Sequence, residues 1–215
     1  MSTSSTATVK SKVVLGGGDM LPLVASAWAE MSLGESVVSA EVAQHEDYSF
    51  DYGVLDAYDP ATTQLFVAFD ERFGNFKRAE LMQAALARRF SLATIKAPGA
   101  VVAADARLGP NVFVGGGAIV EAGATIDYNS VVRAGAVVGF RARIKASCWI
   151  ESGVLVGAHA EIGAQSTLRS GVVIGPSTKI GRYCEIGVPG LYRTDIAAKT
   201  VYDPRYDEPL VVYGG

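Results

Sequence analysis

Histidine is nearly missing from this chain: His45 and His159 are the only two among 215 residues. A zinc centre built on three imidazoles therefore lacks its donors, and no metal is expected. Cysteine is equally scarce, with only Cys148 and Cys184, too few for the disulfide scaffold of a small secreted domain. Charge of one sign is missing as well. Nineteen Lys and Arg against 22 Asp and Glu leave a net charge of −3, so no basic surface marks a nucleic-acid partner. No apolar run reaches the ~18 residues that a membrane span needs. Residues 1–12 are rich in Ser and Thr without an apolar stretch, unlike a secretory signal, and are expected to form a disordered lead. With 49% hydrophobic and 19% charged residues, the composition is that of a globular protein. The thiols point to a reducing, cytoplasmic setting.

What is present in abundance is a six-residue repeat. An aliphatic side chain recurs at every sixth position from Val102 to Ile186, fifteen times without a slip. Two residues before each stands a small or short side chain, from Ala100 through Ala124, Ala142 and Cys148 to Cys184. A repeat this regular sets the fold before any local feature does. Glycine is frequent between the repeats and marks a corner in each. One short strand and one corner per hexad, three hexads per turn, give a triangular parallel β-solenoid of five coils over residues 98–188. Cys148 and Cys184 then fall two coils apart on one face. At ~4.8 Å per coil their Cα atoms are roughly 9–10 Å apart, beyond the ~7 Å limit of a disulfide. They are expected as buried free thiols.

Ahead of the solenoid, residues 13–97 read as a small α/β domain. Lys12 to Leu15 predict a strand that runs into Gly16-Gly17-Gly18. Helical spacing follows over residues 21–31 through Leu23, Val24, Ala27, Trp28 and Met31. Strand, glycine turn and helix can open a nucleotide-binding unit, but Leu21 stands where a third glycine would be and Asp19 sets a negative charge there. A phosphate cradle and a plain tight turn both remain open. Strands are expected at residues 37–43, 53–57, 64–69 and 91–95. A helix is expected over 75–89 with Leu81, Ala84, Ala85 and Phe90 inward. Pro98 marks the boundary. The whole is expected as a truncated Rossmann-like domain. Residues 189–215, with Tyr192, Tyr202, Tyr206 and Tyr213 among Asp and Pro, read either as an extended wrap over a neighbour or as a loose terminus.

The residue before each repeat aliphatic faces outward, and counting in eighteens sorts these residues into three faces. The first holds Val101, Ile119, Val137, Leu155 and Val173; the second holds Arg107, Thr125, Arg143, Glu161 and Lys179; the third holds Phe113, Val131, Trp149, Thr167 and Glu185. An apolar outward stripe is a contact surface. Packing of face one on face three of the next copy closes a ring. A homotrimer is expected, with Arg133, Glu151 and Arg169 near its axis.

Taken together, the Val-Val-Leu-Gly-Gly-Gly turn, the strand before Asp70 with Arg78 after it, the hexads and the Gly187-Val188-Pro189-Gly190 close resemble the bacterial sugar O-/N-acyltransferases of the sialic acid O-acetyltransferase type. That family includes N-acetyltransferases acting on nucleotide-linked amino sugars. The resemblance implies a left-handed solenoid, acetyl-CoA or another acyl-CoA as co-substrate in a groove between subunits, and a nucleotide sugar held partly by the N-terminal domain. By it, Phe140, Arg141, Ala158, Gly175 and Gly187 meet the coenzyme, and Gly16, Gly17, Gly18 and Asp19 meet the sugar nucleotide. The family carries a histidine base in a turn matched here by Val137-Val138-Gly139-Phe140-Arg141. Phe140 therefore stands where the base would be, and phenylalanine accepts no proton. Trp149 stands at a second family histidine. His45 lies in a polar stretch and is expected at the surface. His159 falls one coil beyond Arg141 and is either the catalytic base or an exposed turn residue.

Three functions follow. The chain is an acyltransferase that moves an acyl group from a CoA thioester to an amine or hydroxyl of a sugar; or an inactive trimeric binding scaffold that keeps the coenzyme groove or sugar pocket; or a solenoid metalloenzyme of the γ-carbonic anhydrase kind, for which a lone solenoid histidine is too little.

Overall fold

The computed structural model describes residues 11–32, 35–70 and 74–212. The chain divides into two compact units with the break after Ala93. Residues 1–10, most of the expected lead, lie outside the described residues. Ser11 and Lys12 already belong to a strand, β1 (Ser11–Gly17), which shortens that lead.

In the N-terminal unit β1 is followed by helix α1 (Met20–Met31), β2 (Val37–Glu41), β3 (Thr63–Phe69), α2 (Gly74–Ala87) and β4 (Ser91–Leu92). The strands form one parallel sheet in the order β2-β1-β3-β4. β1 and β3 are the central strands, and their apolar runs are buried on both sides, as parallel strands between helices must be. Helix α1 buries Met20, Val24, Ala27 and Trp28, whereas Leu23 and Met31 are exposed. The apolar face is therefore rotated from the one that the spacing predicts. The expected strand at residues 53–57 is instead a 3₁₀ turn, Tyr52–Ala57. Asp51 explains it: its carboxylate accepts the Gly53 N–H at 2.8 Å, which fastens the backbone into a local turn before it can join a sheet.

Residues 91–95 do not make one strand. Ser91 and Leu92 pair with β3, and the Ala93 N–H donates to the Leu65 carbonyl. Two residues later the Ile95 N–H donates to the Val112 carbonyl. The chain changes sheets ahead of Pro98, and the solenoid begins earlier than the hexads suggest.

The second unit is a stack of two- and three-residue strands in three parallel sheets. In the first sheet Val101 pairs with Ile119, Val137 with Leu155 and Leu155 with Val173. In the second, Arg107, Thr125, Arg143, Glu161 and Lys179 pair in sequence. In the third, Ile95, Phe113, Val131, Trp149, Thr167 and Glu185 do so. The aliphatic position of each hexad points inward, so Val120, Val138, Ile144, Ile150, Val156 and Ile162 form one continuous buried column. Small residues two positions earlier let the coils close around it.

The outward faces behave unequally. On the first sheet Val101, Ile119 and Leu155 are 60%, 39% and 42% exposed, an apolar stripe open to solvent. On the third sheet Phe113, Val131 and Trp149 are buried within the single chain. The expected packing of face one on face three therefore lacks its second face, because those side chains are already covered. Arg169, expected near a trimer axis, bridges Glu151 at 2.7 Å and Glu185 at 2.9 Å, and the Arg133 guanidinium lies 5.7 Å from the Trp149 ring centre.

Residues 190–211, expected as an extended tail, pair with the chain's own strands. Gly190–Tyr192 pairs with Val172–Ile174 in the first sheet, Ile196 bridges Ile180 in the second, and Thr200–Tyr202 pairs with Glu185 and Ile186 in the third. A further coil thus forms without the hexad pattern. In the third sheet its step is 16 residues, from Glu185 to Val201. Leu210–Val211 then closes the sheet with an antiparallel pairing.

Candidate functional site

The corner between the first and second sheets carries the solenoid's histidine. In successive coils its third residue is Asp105, Gly123, Arg141, His159 and Ser177. From Gly123 onward each of these has a positive φ, 68°, 53°, 60° and 60°. The strain is offset by a coil-to-coil bond. The N–H of Arg141 donates to the Ala122 carbonyl at 3.0 Å, that of His159 to the Phe140 carbonyl at 2.8 Å, and that of Ser177 to the Ala158 carbonyl at 2.8 Å. The backbone turns outward here and leaves the Arg141, His159 and Ser177 side chains on the surface, whereas Ala142, Ala160 and Thr178 after them are buried.

Phe140, Arg141, Ala158, His159 and Gly175 are brought together at this corner. Phe140 is 39% exposed, and its stack neighbours are Ala122 and Ala158, so the ring stands clear of the wall. The His159 imidazole meets it edge to face, with ring centres 5.5 Å apart and planes at 87°. The Arg141 guanidinium lies 4.9 Å from the centre of the same ring. Counting in eighteens sets Arg141 beside His159; the aromatic ring of Phe140 is what His159 actually contacts. Gly175 is small because its Cβ would stand 3.1 Å from the Tyr192 carbonyl oxygen of the next coil. Gly187 is elsewhere, at the corner between the third and first sheets. It lines a cavity of about 290 Å³ with Arg169, Glu185, Tyr202, Asp203 and Arg205. Trp149, matched to the second family histidine, is buried and presents no polar group at this corner.

In the N-terminal unit the glycine turn separates by role. Gly16 is pressed on β3, where a Cβ would stand on the Ala68 carbonyl. Gly18 takes a positive φ of 71°, and Asp19 heads α1 without a capping bond from its side chain. The Asp19 N–H donates to a carboxylate oxygen of Asp70 at 3.0 Å. A buried carboxylate thus sits at the helix N-terminus, the place an anion would seek. Gly17 lines a cavity of about 230 Å³ with Glu41, Val42, Ala43, Gln44 and Phe50. That cavity lies beyond the carboxyl ends of β1 and β2, where open parallel sheets bind ligands. Sequence reasoning did not single out Glu41, the last residue of β2, or Gln44 and Phe50, which lie in the irregular segment after it where no periodic signal runs. His45 is in the same segment, exposed in a turn closed by a 2.9 Å bond from its N–H to the Ser49 carbonyl. Among the described residues no three His, Cys, Asp or Glu side chains are grouped to hold a metal, and no helix is long and apolar enough to cross a membrane.

No protein-family model and no curated protein matches the sequence. Solved structures do resemble the fold. A variant of perosamine N-acetyltransferase from Caulobacter crescentus, asparagine replacing a histidine, in complex with CoA and GDP-perosamine, is 24% identical over 89% of this chain and 92% of that one, with a TM-score of 0.78. The acetyltransferase domain of PglB from Neisseria gonorrhoeae, in complex with acetyl coenzyme A, is 21% identical over 93% and 98%, with a TM-score of 0.58. WeeI from Acinetobacter baumannii is 12% identical over 94% and 100%, with a TM-score of 0.56. At these identities the likeness establishes the fold: an α/β unit followed by a long run of parallel strands.

Proposed function

We propose that the chain is a hexapeptide-repeat acyltransferase, which moves an acetyl group from acetyl-CoA to the amine of a nucleotide-linked sugar in the cytoplasm. The single observation that carries this reading is an imidazole held on an exposed solenoid corner, one coil beyond Arg141 and packed on Phe140, the residue that stands where the family keeps its base. The two similar structures that hold CoA or acetyl-CoA support the donor, and the one that holds GDP-perosamine supports the acceptor class. In this reading the solenoid is left-handed with five coils in hexad register, and the N-terminal unit is a truncated Rossmann-like domain.

The reaction needs one proton acceptor. The acceptor amine attacks the thioester carbonyl carbon, forming the C–N bond and sending the carbonyl electrons to oxygen. His159 takes the proton that the nitrogen loses. The carbonyl then re-forms, the C–S bond breaks, and His159 returns the proton to the departing thiolate. A neutral amine needs less help from a base than a hydroxyl, which favours N-transfer at a corner with a single imidazole. Phe140 and Arg141 border the acyl group, and Ala158 and Gly175 keep the wall low beside it for a pantetheine arm. Gly187, on another corner, reaches the coenzyme only from a second copy, as a trimer joined through the open apolar stripe would provide. In the N-terminal unit the cavity at Gly17 takes the nucleoside. Phe50 offers a stacking face and Glu41 an acceptor for ribose hydroxyls, while the Asp70 carboxylate keeps phosphate away from Asp19.

The test is thiol release from acetyl-CoA over a panel of GDP-, UDP- and other nucleotide-linked amino sugars. One acceptor should support turnover, and His159→Asn should lower kcat by about 100-fold or more, the usual contribution of a general base. Acetyl-CoA binding with no turnover on any acceptor would sink the enzymatic reading and leave a binding scaffold.

A further inference from the structure

We infer that Gly123, Arg141 and Phe140 form one unit that aims the His159 imidazole, with Phe140 as its positioning residue and Gly123 as the seat that locks the unit. The inference rests on His159 being the base. Its backbone is fixed by a positive φ of 60° and the 2.8 Å bond to the Phe140 carbonyl, but a backbone constraint leaves the imidazole free to turn about its side-chain torsions. The contact that sets the ring is the edge-to-face packing on Phe140, at 5.5 Å and 87°.

Phe140 in turn needs holding. Its stack neighbours, Ala122 and Ala158, have no reach beyond Cβ, and the ring is 39% exposed. The Arg141 guanidinium supplies the hold at 4.9 Å from the ring centre, the distance at which a cation is attracted to an aromatic face. Arg141 reaches that position because its stem lies over Gly123. A Cβ built on Gly123 would stand 2.9 Å from Arg141 Cγ, so any larger residue displaces the stem. Gly123 shares this corner position with Asp105, Arg141, His159 and Ser177; glycine occurs there just beneath the arginine that needs the room.

A matched pair of variants isolates this seat. Gly123 and Gly135 have φ of 68° and 67°, and a Cβ on Gly135 meets nothing within 4 Å. Ala at either position carries the same backbone strain, but only Gly123→Ala moves Arg141. Gly123→Ala and Phe140→Ala should each lower kcat about tenfold, more than either changes KM for the acceptor, since misorientation of a base acts on the chemical step. Gly135→Ala should match the parent. Phe140→Tyr, which keeps the ring, should restore most of the rate. An independent readout is available because the chain holds two histidines: the ring protons of His159 should carry an aromatic shift that disappears in Gly123→Ala and Phe140→Ala and persists in Gly135→Ala. Equal kcat and an equal His159 spectrum in Gly123→Ala and Gly135→Ala, with His159→Asn inactive, would overturn the aiming unit and leave the base in place. Full activity of His159→Asn would overturn the base itself, and the aiming unit with it.

Discussion

The short inward side chains just before the third-sheet strands are donors as well as spacers. The Ser130 hydroxyl accepts the Cys148 N–H at 3.1 Å and donates to the Lys145 carbonyl at 2.9 Å. The Ser166 hydroxyl does the same for the Cys184 N–H and the Gly181 carbonyl. Both thiols follow suit, to the Gly163 and Ala197 carbonyls. Burial pushes the Cys184 thiol up, away from the reactive thiolate, which gives this cysteine a packing role. Glu151 shows the opposite balance. Partial burial disfavours its charge, yet the bonds from Arg169 and from the Ser170 N–H outweigh that and hold its carboxyl below 4.5. A carboxylate depressed by folding stabilises above its unfolded pKa, and that contribution is lost as pH falls through the folded value. Glu151→Gln should therefore cost stability at neutral pH, and the gap to the parent should narrow progressively below pH 4.5. Urea denaturation across that range checks it; a gap independent of pH would mean that the ion pair contributes nothing.

At the scale of elements, the first sheet leaves Val101, Ile119, Leu155 and Leu191 open along one line. A charge placed in a desolvated interface costs several kcal/mol. Leu155→Glu should accordingly convert a trimer to monomers in sedimentation velocity without changing the fold by circular dichroism. A parent that sediments as a monomer would remove the trimer. The hexads were legible because a period of six survives any substitution that keeps an aliphatic residue in place. The last coil was not: Ile196, Val201 and Tyr202 enter the stack through backbone pairing at a 16-residue step, and no repeat advertises them. Coverage of Phe113 and Trp149 was hidden for a related reason, since periodicity tells which way a side chain points but not what meets it. The corner with His159 was half legible. Arithmetic in eighteens placed the histidine, while the Phe140 contact depends on torsions that spacing does not encode.

For the whole molecule, stability in such a stack is a sum of nearest-neighbour terms, and the terminal coil has to close the column. Ile180, Cys184 and Ile186 are buried beneath the segment after Val188. Exposing apolar side chains of this size costs roughly 1.5–3 kcal/mol each. A chain cut after Val188 should thus melt roughly 10–35 °C lower, at about 2–4 °C per kcal/mol for this length; an unchanged midpoint in calorimetry would show that the last coil adds nothing to stability. The repeated corner has a different consequence. Since the N–H groups of Arg141, His159 and Ser177 are all tied to the carbonyl of the coil before, these positions are equivalent sockets set ~4.8 Å apart. A side chain can be exchanged between Arg141, His159 and Ser177 without rebuilding the backbone, so a scaffold of this kind can move a chemical group along its corner in whole coil steps.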